Sequence, residues 1–236
     1  MVNRQTSLTI RQTHRYLGIF LGIQFLIWTI SGLYFSWTDI DEIHGDQFKH
    51  IPFEPIAFPD LLGSSGLQTE SPVFSLQLME IGGKPYYWVN NAELYDAETG
   101  QKREGVTAEE ALQVAGRHMK SDLKVRDIRL LKEAGNHHEY RGRPLPVYEI
   151  TYKDPENLKA YVAATNGSFQ TVRHRNWRWY DFLWMTHTMD YDTRDNFNTF
   201  VLRAFSLLGL ITVMSGFLLW FISSGSVKKI LKNLTK

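Results

Sequence analysis

The sequence predicts a membrane-anchored α+β protein, with two transmembrane helices flanking a periplasmic domain of antiparallel sheet plus helix. Three observations carry this. Residues 16–38, YLGIFLGIQFLIWTISGLYFSWT, contain no charge and are long enough to cross roughly 30 Å of hydrocarbon at about 1.5 Å per residue. Residues 204–222, AFSLLGLITVMSGFLLWFI, form a second such run. All 25 Asp and Glu fall between Asp39 and Asp195, in the stretch that separates the two runs.

Charge also sets the expected orientation. Outside that acidic window lie eight basic residues and no acid: Arg4, Arg11, Arg15, Arg203, Lys228, Lys229, Lys232 and Lys236. Short segments rich in Lys and Arg stay in the cytoplasm. Both termini are therefore expected inside a bacterial inner membrane. The middle, with 18 basic against 25 acidic residues, is expected in the periplasm. The tail KKILKNLTK reads as a topology signal beside anionic lipid, so the bilayer is an expected partner and nucleic acid is not. The first run is too long for a signal-peptide core, and bulky Tyr34, Phe35 and Trp37 occupy the place of a cleavage site, so it reads as a retained anchor. The absence of cysteine excludes disulfides, c-type haem attachment, iron–sulfur clusters, thiol catalysis and zinc–thiolate sites.

Residues 1–15 are the basic arm and 16–38 the first helix. Gly18 and Gly22 form a G-x-x-x-G, a spacing that allows close helix approach. Tyr34 and Trp37 suit an outer aromatic belt. Ser31-Gly32 recurs as Ser215-Gly216, which favours packing of the two helices on each other. In the domain at 39–173, Pro52, Pro55 and Pro59 exclude a long helix. A short turn or helix is expected at 59–62, broken by the SSG at 64–66. Strands are expected at 73–81, 85–89 and 92–97, with Gly82-Gly83 as a hairpin turn. Thr107 to Glu110 is a capping box opening a helix that ends near Lys120. Strands follow at 125–131, 147–152, 158–164 and 169–173, with a polar loop NHHEYRGR at 136–143. Residues 92–101 echo 159–168, which suggests two degenerate α+β units in tandem. Residues 174–200 read as an interfacial helix, with Trp177, Tyr180, Trp184, His187 and Tyr191 at steps of three and four. Arg173, Arg175 and Arg178 are placed to meet lipid phosphates. The second helix at 201–222 and a basic tail at 223–236 complete the chain.

The pattern from Thr107 to Arg173, ending in YVAATNGSF, resembles a PepSY domain. Thr13-His14-Arg15-Tyr16-Leu17-Gly18 with Ile30-Ser31-Gly32, and Thr186-His187-Thr188-Met189-Asp190 with Ser215-Gly216, resemble the PepSY-associated membrane-helix proteins. The likeness implies one or two PepSY-like units acting as a regulatory or accessory subunit, since PepSY domains were proposed as regulators of periplasmic peptidases. Larger relatives include ferric-siderophore reductases with b-type haem, which implies His14 and His187 as haem ligands. These two are expected at opposite faces of the membrane, about 30 Å apart, so one iron cannot reach both. His187 with His44, or with its own copy in a homodimer, is the alternative. The plainer readings are an interfacial His187 bonded to a neighbour such as Asp190, and a His14 at headgroup level.

Two further clusters have weak metal-site spacing. His137 and His138 beside Glu139 point opposite ways in extended chain, so a solvated loop is expected. Asp190, Asp192 and Asp195 lack the Gly and distant Glu of a calcium loop, and Arg194 suggests an Arg–Asp network instead. No nucleophile elbow, phosphate-cradling loop or paired acid and base stands out. The leading expectation is therefore a non-enzymatic binding module, with a membrane or periplasmic protein or a second copy as partner. A haem-carrying electron-transfer component is the rival.

Overall fold

In the computed structural model, which describes residues 4–224, helix α1 spans Arg4–Trp37 and helix α5 spans Phe200–Ser223. The first helix begins within the arm at 1–15 instead of at Tyr16. No Gly or Pro interrupts residues 4–17, and once a helix is nucleated each added residue gains a hydrogen bond. The apolar stretches Leu8–Trp37 and Phe200–Phe221 are long enough to span a membrane. Their outward side chains, including Ile19, Ile23, Leu207, Leu210 and Phe217, are exposed. The tail at 225–236 lies outside the described residues.

The described residues form two compact units: 38–180, and 4–37 together with 181–224. The first is α+β. It opens on a one-turn helix α2 (Ile40–Ile43), capped by the Asp39 carboxylate accepting from the Asp41 N–H, and a 3₁₀ turn at Asp46–Phe48. The SSG triplet itself forms a 3₁₀ turn, Ser64–Gly66, while 59–62 is irregular. Strands β1 (Leu76–Ile81), β2 (Lys84–Val89), β3 (Glu93–Asp96) and β4 (Lys102–Arg103) form an antiparallel sheet in sequence order. Strand β1 starts at Leu76 and not at 73, because the N–H groups of Phe74 and Ser75 donate to the Asn90 side chain. Helix α3 (Ala108–His118) starts with both halves of the capping box in place. Strands β5 (Val125–Leu131), β6 (Val147–Tyr152), β7 (Lys159–Ala163) and β8 (Phe169–Arg173) make a second antiparallel sheet, again in sequence order.

The echo in sequence is an echo in geometry. Asp96 N–H donates to Gln101 O and Ala163 N–H to Ser168 O, each at 2.9 Å. Gly100 and Gly167 both have left-handed φ, +73° and +70°, a region open to Gly at little cost. The first sheet is preceded by the short turn at 64–66 where the second is preceded by α3. One core joins the sheets through that helix, with Ile81, Tyr86 and Leu94 packed with Ala111, Val114, Ala115, Met119, Ile150 and Val162.

In the helical unit, α1 and α5 pack on each other, with Phe20 stacked on Phe205 at 5.6 Å. Helix α4 (Arg175–Thr188) begins in the α+β unit and ends here. It stops well short of residue 200. Met189 takes a left-handed φ, and the Asp190 carboxylate accepts from the backbone of Asp192, Thr193 and Asn196, a side-chain alternative to helical bonding. Tyr191 therefore lies beyond the aromatic helix face expected of it.

Candidate functional site

A concavity of about 430 Å³ lies within the α+β unit. It is assembled from segments that sequence alone leaves unconnected. The 44–50 stretch supplies His44, Asp46, Lys49 and His50. The end of α3 supplies His118, β8 supplies Phe169 and Arg173, and the first turn of α4 supplies Trp177. Arg143 comes from the loop before β6.

Backbone bonds hold these walls together. His50 N–H donates to His118 O at 2.8 Å and Lys120 N–H to Phe48 O at 2.9 Å. Gly45, at φ +81°, lies so close to β8 that an added Cβ would sit 2.9 Å from Val172 Cγ1. Behind the wall, fully buried His174 places Nε2 against Glu42 O and Ile43 O at 3.0 and 3.2 Å, and Nδ1 against Glu156 at 3.2 Å. This ring ties α2 to the second sheet.

His118 is sandwiched between Phe53 and Phe169, with ring centroids at 4.1 and 4.5 Å and nearly parallel planes. Burial first, then the Arg117 charge, holds its pKa below the ordinary histidine value. Arg173 lies 3.9 Å above the Trp177 ring and donates to Glu139 O, Thr171 Oγ1 and Val172 O. A cation stacked this way on an indole is also held by the ring quadrupole.

Glu139, in the loop expected to be solvated, is instead the hub of a partly buried ionic cluster. Its carboxylate accepts from Arg178 Nε at 2.7 Å, Lys159 Nζ at 2.7 Å and the Tyr161 hydroxyl at 2.8 Å. Tyr161 also reaches Glu149 at 2.9 Å, and Arg129 pairs with Glu149. Burial alone would raise the Glu139 pKa. The hydrogen bonds and charges of Arg178 and Lys159 outweigh it and hold the carboxyl down to about 2. No group of three or more metal-ligating side chains occurs among the described residues. His137 is exposed and His138 stands 3.9 Å from Glu149.

Of the arginines expected to meet lipid phosphates, Arg175 is exposed, Arg178 half-buried and Arg173 buried, and all three bond within the α+β unit. Arg178 donates to Glu139, Glu156 O and Asn157 O. Arg175 donates to Pro155 O, and Arg173 is buried. Trp177 lines the cleft. Trp184 packs edge-on between Phe35 and Phe197, while Trp37 is exposed.

The helical unit pairs the two histidines with the two Ser-Gly motifs, crosswise. His14 Nδ1 meets Ser215 Oγ at 2.8 Å, and His187 Nδ1 meets Ser31 Oγ at 2.7 Å. Each serine hydroxyl donates to a backbone carbonyl, Thr212 O and Ile27 O respectively. Each must then accept from the imidazole, which assigns the proton to Nδ1 and the lone pair to Nε2. His187 is thus bonded to Ser31 and not to Asp190, whose oxygens serve the 190–196 turn. Arg194 does pair with an aspartate, Asp181, which is outside the 190–195 cluster. Ser31 and His14 are 17 residues apart on α1, about 25 Å, so the two imidazoles cannot share one iron. His44 belongs to the α+β unit. A Cβ added at Gly216 would press on the His14 ring and one at Gly209 on Phe25, whereas one at Gly18, Gly22 or Gly32 would meet open space.

Neither a family model, nor a curated protein, nor a solved structure matches this chain.

Sequence reasoning passes over His118, Arg143, Glu149 and His174. Only His118 leaves a trace, as a histidine in the last turn of a capped helix.

Proposed function

We propose that this chain is a membrane-tethered binding and regulatory module, an accessory subunit without catalysis of its own. Helices α1 and α5 anchor it in the bacterial inner membrane with both termini cytoplasmic, and the 38–180 unit works in the periplasm. The observation that carries this is the preformed cleft of about 430 Å³, within the usual range for ligand pockets and braced by backbone bonds. The charge asymmetry along the sequence supports the orientation. The resemblance to PepSY domains and their associated membrane helices supports the regulatory role and a protein partner, or a second copy, at the outer face. A membrane-impermeant amine reagent applied to intact cells tests the arrangement. Labelling of Lys132 with protection of Lys229 is expected, and the reverse pattern overturns it. Mild-detergent capture then identifies the partner.

A second reading is favoured by one observation, the serine-fixed imidazoles. His14 and His187 each direct Nδ1–H at a hydroxyl, and the remaining Nε2 is the nitrogen that ligates a metal when its partner nitrogen is so oriented. Bound b-type haem would supply one-electron chemistry. In this reading the two histidines hold separate groups, the two serines set their orientation, and a second copy contributes the remaining ligands. Purification from haem-supplied cells tests it. A Soret band reduced by His187→Ala and abolished when His14→Ala is added supports electron transfer, and a colourless folded protein removes it.

A further inference from the structure

The chemistry of the cleft identifies the class of its occupant, an identification that rests on reading the 38–180 unit as a binding module. Its walls gather Lys49, His50, His118, Arg143 and Arg173 around one carboxylate, Asp46, which Lys49 already engages at 2.7 Å. The surrounding unit runs the other way, with 17 basic against 21 acidic residues. Positive groups are therefore concentrated in the concavity against the trend of the surface, where low-dielectric walls strengthen their field.

Two of these groups are poised for an incoming anion. Arg143 forms no ion pair among the described residues, and its hydrogen bond is a long one, 3.5 Å to Gln170 O. His118 has both ring faces covered by Phe53 and Phe169, so only the ring edge, with its N–H, is available to the cleft. The charges acting on that ring are Arg117 on its own helix, Glu80 from β1 and Lys49 from the 44–50 stretch. Ile51, Phe53, Phe169 and Trp177 provide apolar surface beside them.

We propose that this cleft binds a small organic dianion, two oxyanion groups carried on a compact apolar body, with Arg143 and the edge of His118 as its principal contacts. Arg173 acts as a fixed positive wall, its guanidinium set by three carbonyl and hydroxyl acceptors and the Trp177 face.

The test is calorimetric titration of the full chain in zwitterionic lipid nanodiscs. The probe is m-benzenedisulfonate, whose charge is constant across the range used, with neutral benzenesulfonamide for comparison. At about pH 6 the disulfonate should bind at least roughly tenfold more tightly than the sulfonamide. Arg143→Gln, at an exposed position, should weaken binding roughly fivefold or more without changing the melting temperature, and Lys49→Gln should weaken it too. Equal binding of the neutral probe, indifference to Arg143→Gln, or no disulfonate binding at millimolar concentration would each overturn the assignment. Such a failure alongside the expected Lys132 labelling removes only the ligand class. An inverted labelling pattern with intact disulfonate binding removes only the periplasmic setting.

Discussion

Replacing Glu139 with Gln keeps the shape of the side chain and deletes its charge. A carboxyl held at about 2 instead of 4.5 releases its proton more readily in the folded chain by about 3 kcal/mol. That figure is the order of the stabilisation the charge contributes at neutral pH. The sign follows from the depressed folded pKa. The contribution is fully present above about pH 5, falls through the range between 4.5 and 2, and is absent below it. The Glu139→Gln variant should therefore unfold more easily than wild type at neutral pH, by about 2–3 kcal/mol, since Arg178 and Lys159 lose a common charged acceptor while the amide retains part of the bonding to Tyr161. The gap should narrow to roughly half by about pH 3 and close only below about pH 2, where Glu139 itself takes up a proton in the folded chain. Denaturant unfolding of the full chain in detergent, followed by circular dichroism at several pH values, measures this. A gap that is independent of pH, or no gap at neutral pH, would refute the role given to this cluster.

Other expectations test separate parts of the fold. Thr107→Ala removes the N-cap acceptor of α3 and should cost about 1 kcal/mol in the same unfolding measurement. Gly45→Ala must hold a side chain at φ +81° with Cβ pressed on Val172. A loss of about 1–3 kcal/mol is expected, together with weaker cleft binding. Gly209→Leu, against Phe25, should lower the thermal stability of the helical unit, whereas Gly22→Leu, which faces open space, should leave it unchanged in the monomer. Ser31→Ala removes the acceptor that fixes the His187 tautomer, so nitrogen-15 histidine shifts should move towards a tautomeric mixture.

Much of the α+β unit is legible from the sequence because its signals are local. Strands 125–131, 147–152 and 169–173 fall where β propensity and the flanking turn residues end them. The α3 start follows from a capping box four residues long. The basic run around Arg173 to Arg178 shows the opposite case. Read linearly it is a row of exposed cations beside aromatic residues, the signature of a lipid interface. Folded, Arg178 finds Glu139 and Arg173 finds the carbonyl of the same residue, 39 and 34 positions back along the chain. The NHHEYRGR loop is the other half of that case, since a glutamate in a polar loop looks solvated until its partners are in view.

Composition and periodicity alone determined that two apolar helices bracket an acidic α+β region, because hydrophobic length, alternation and caps are properties of neighbouring residues. Tertiary structure decided what the polar residues do. The sandwich around His118 closes only when residues 53 and 169 arrive from either side. Each histidine of the helical unit meets its serine across more than 150 residues. Desolvation and partner geometry set the character of a charged or hydrogen-bonding group, and both are created by contacts that no short window of sequence contains.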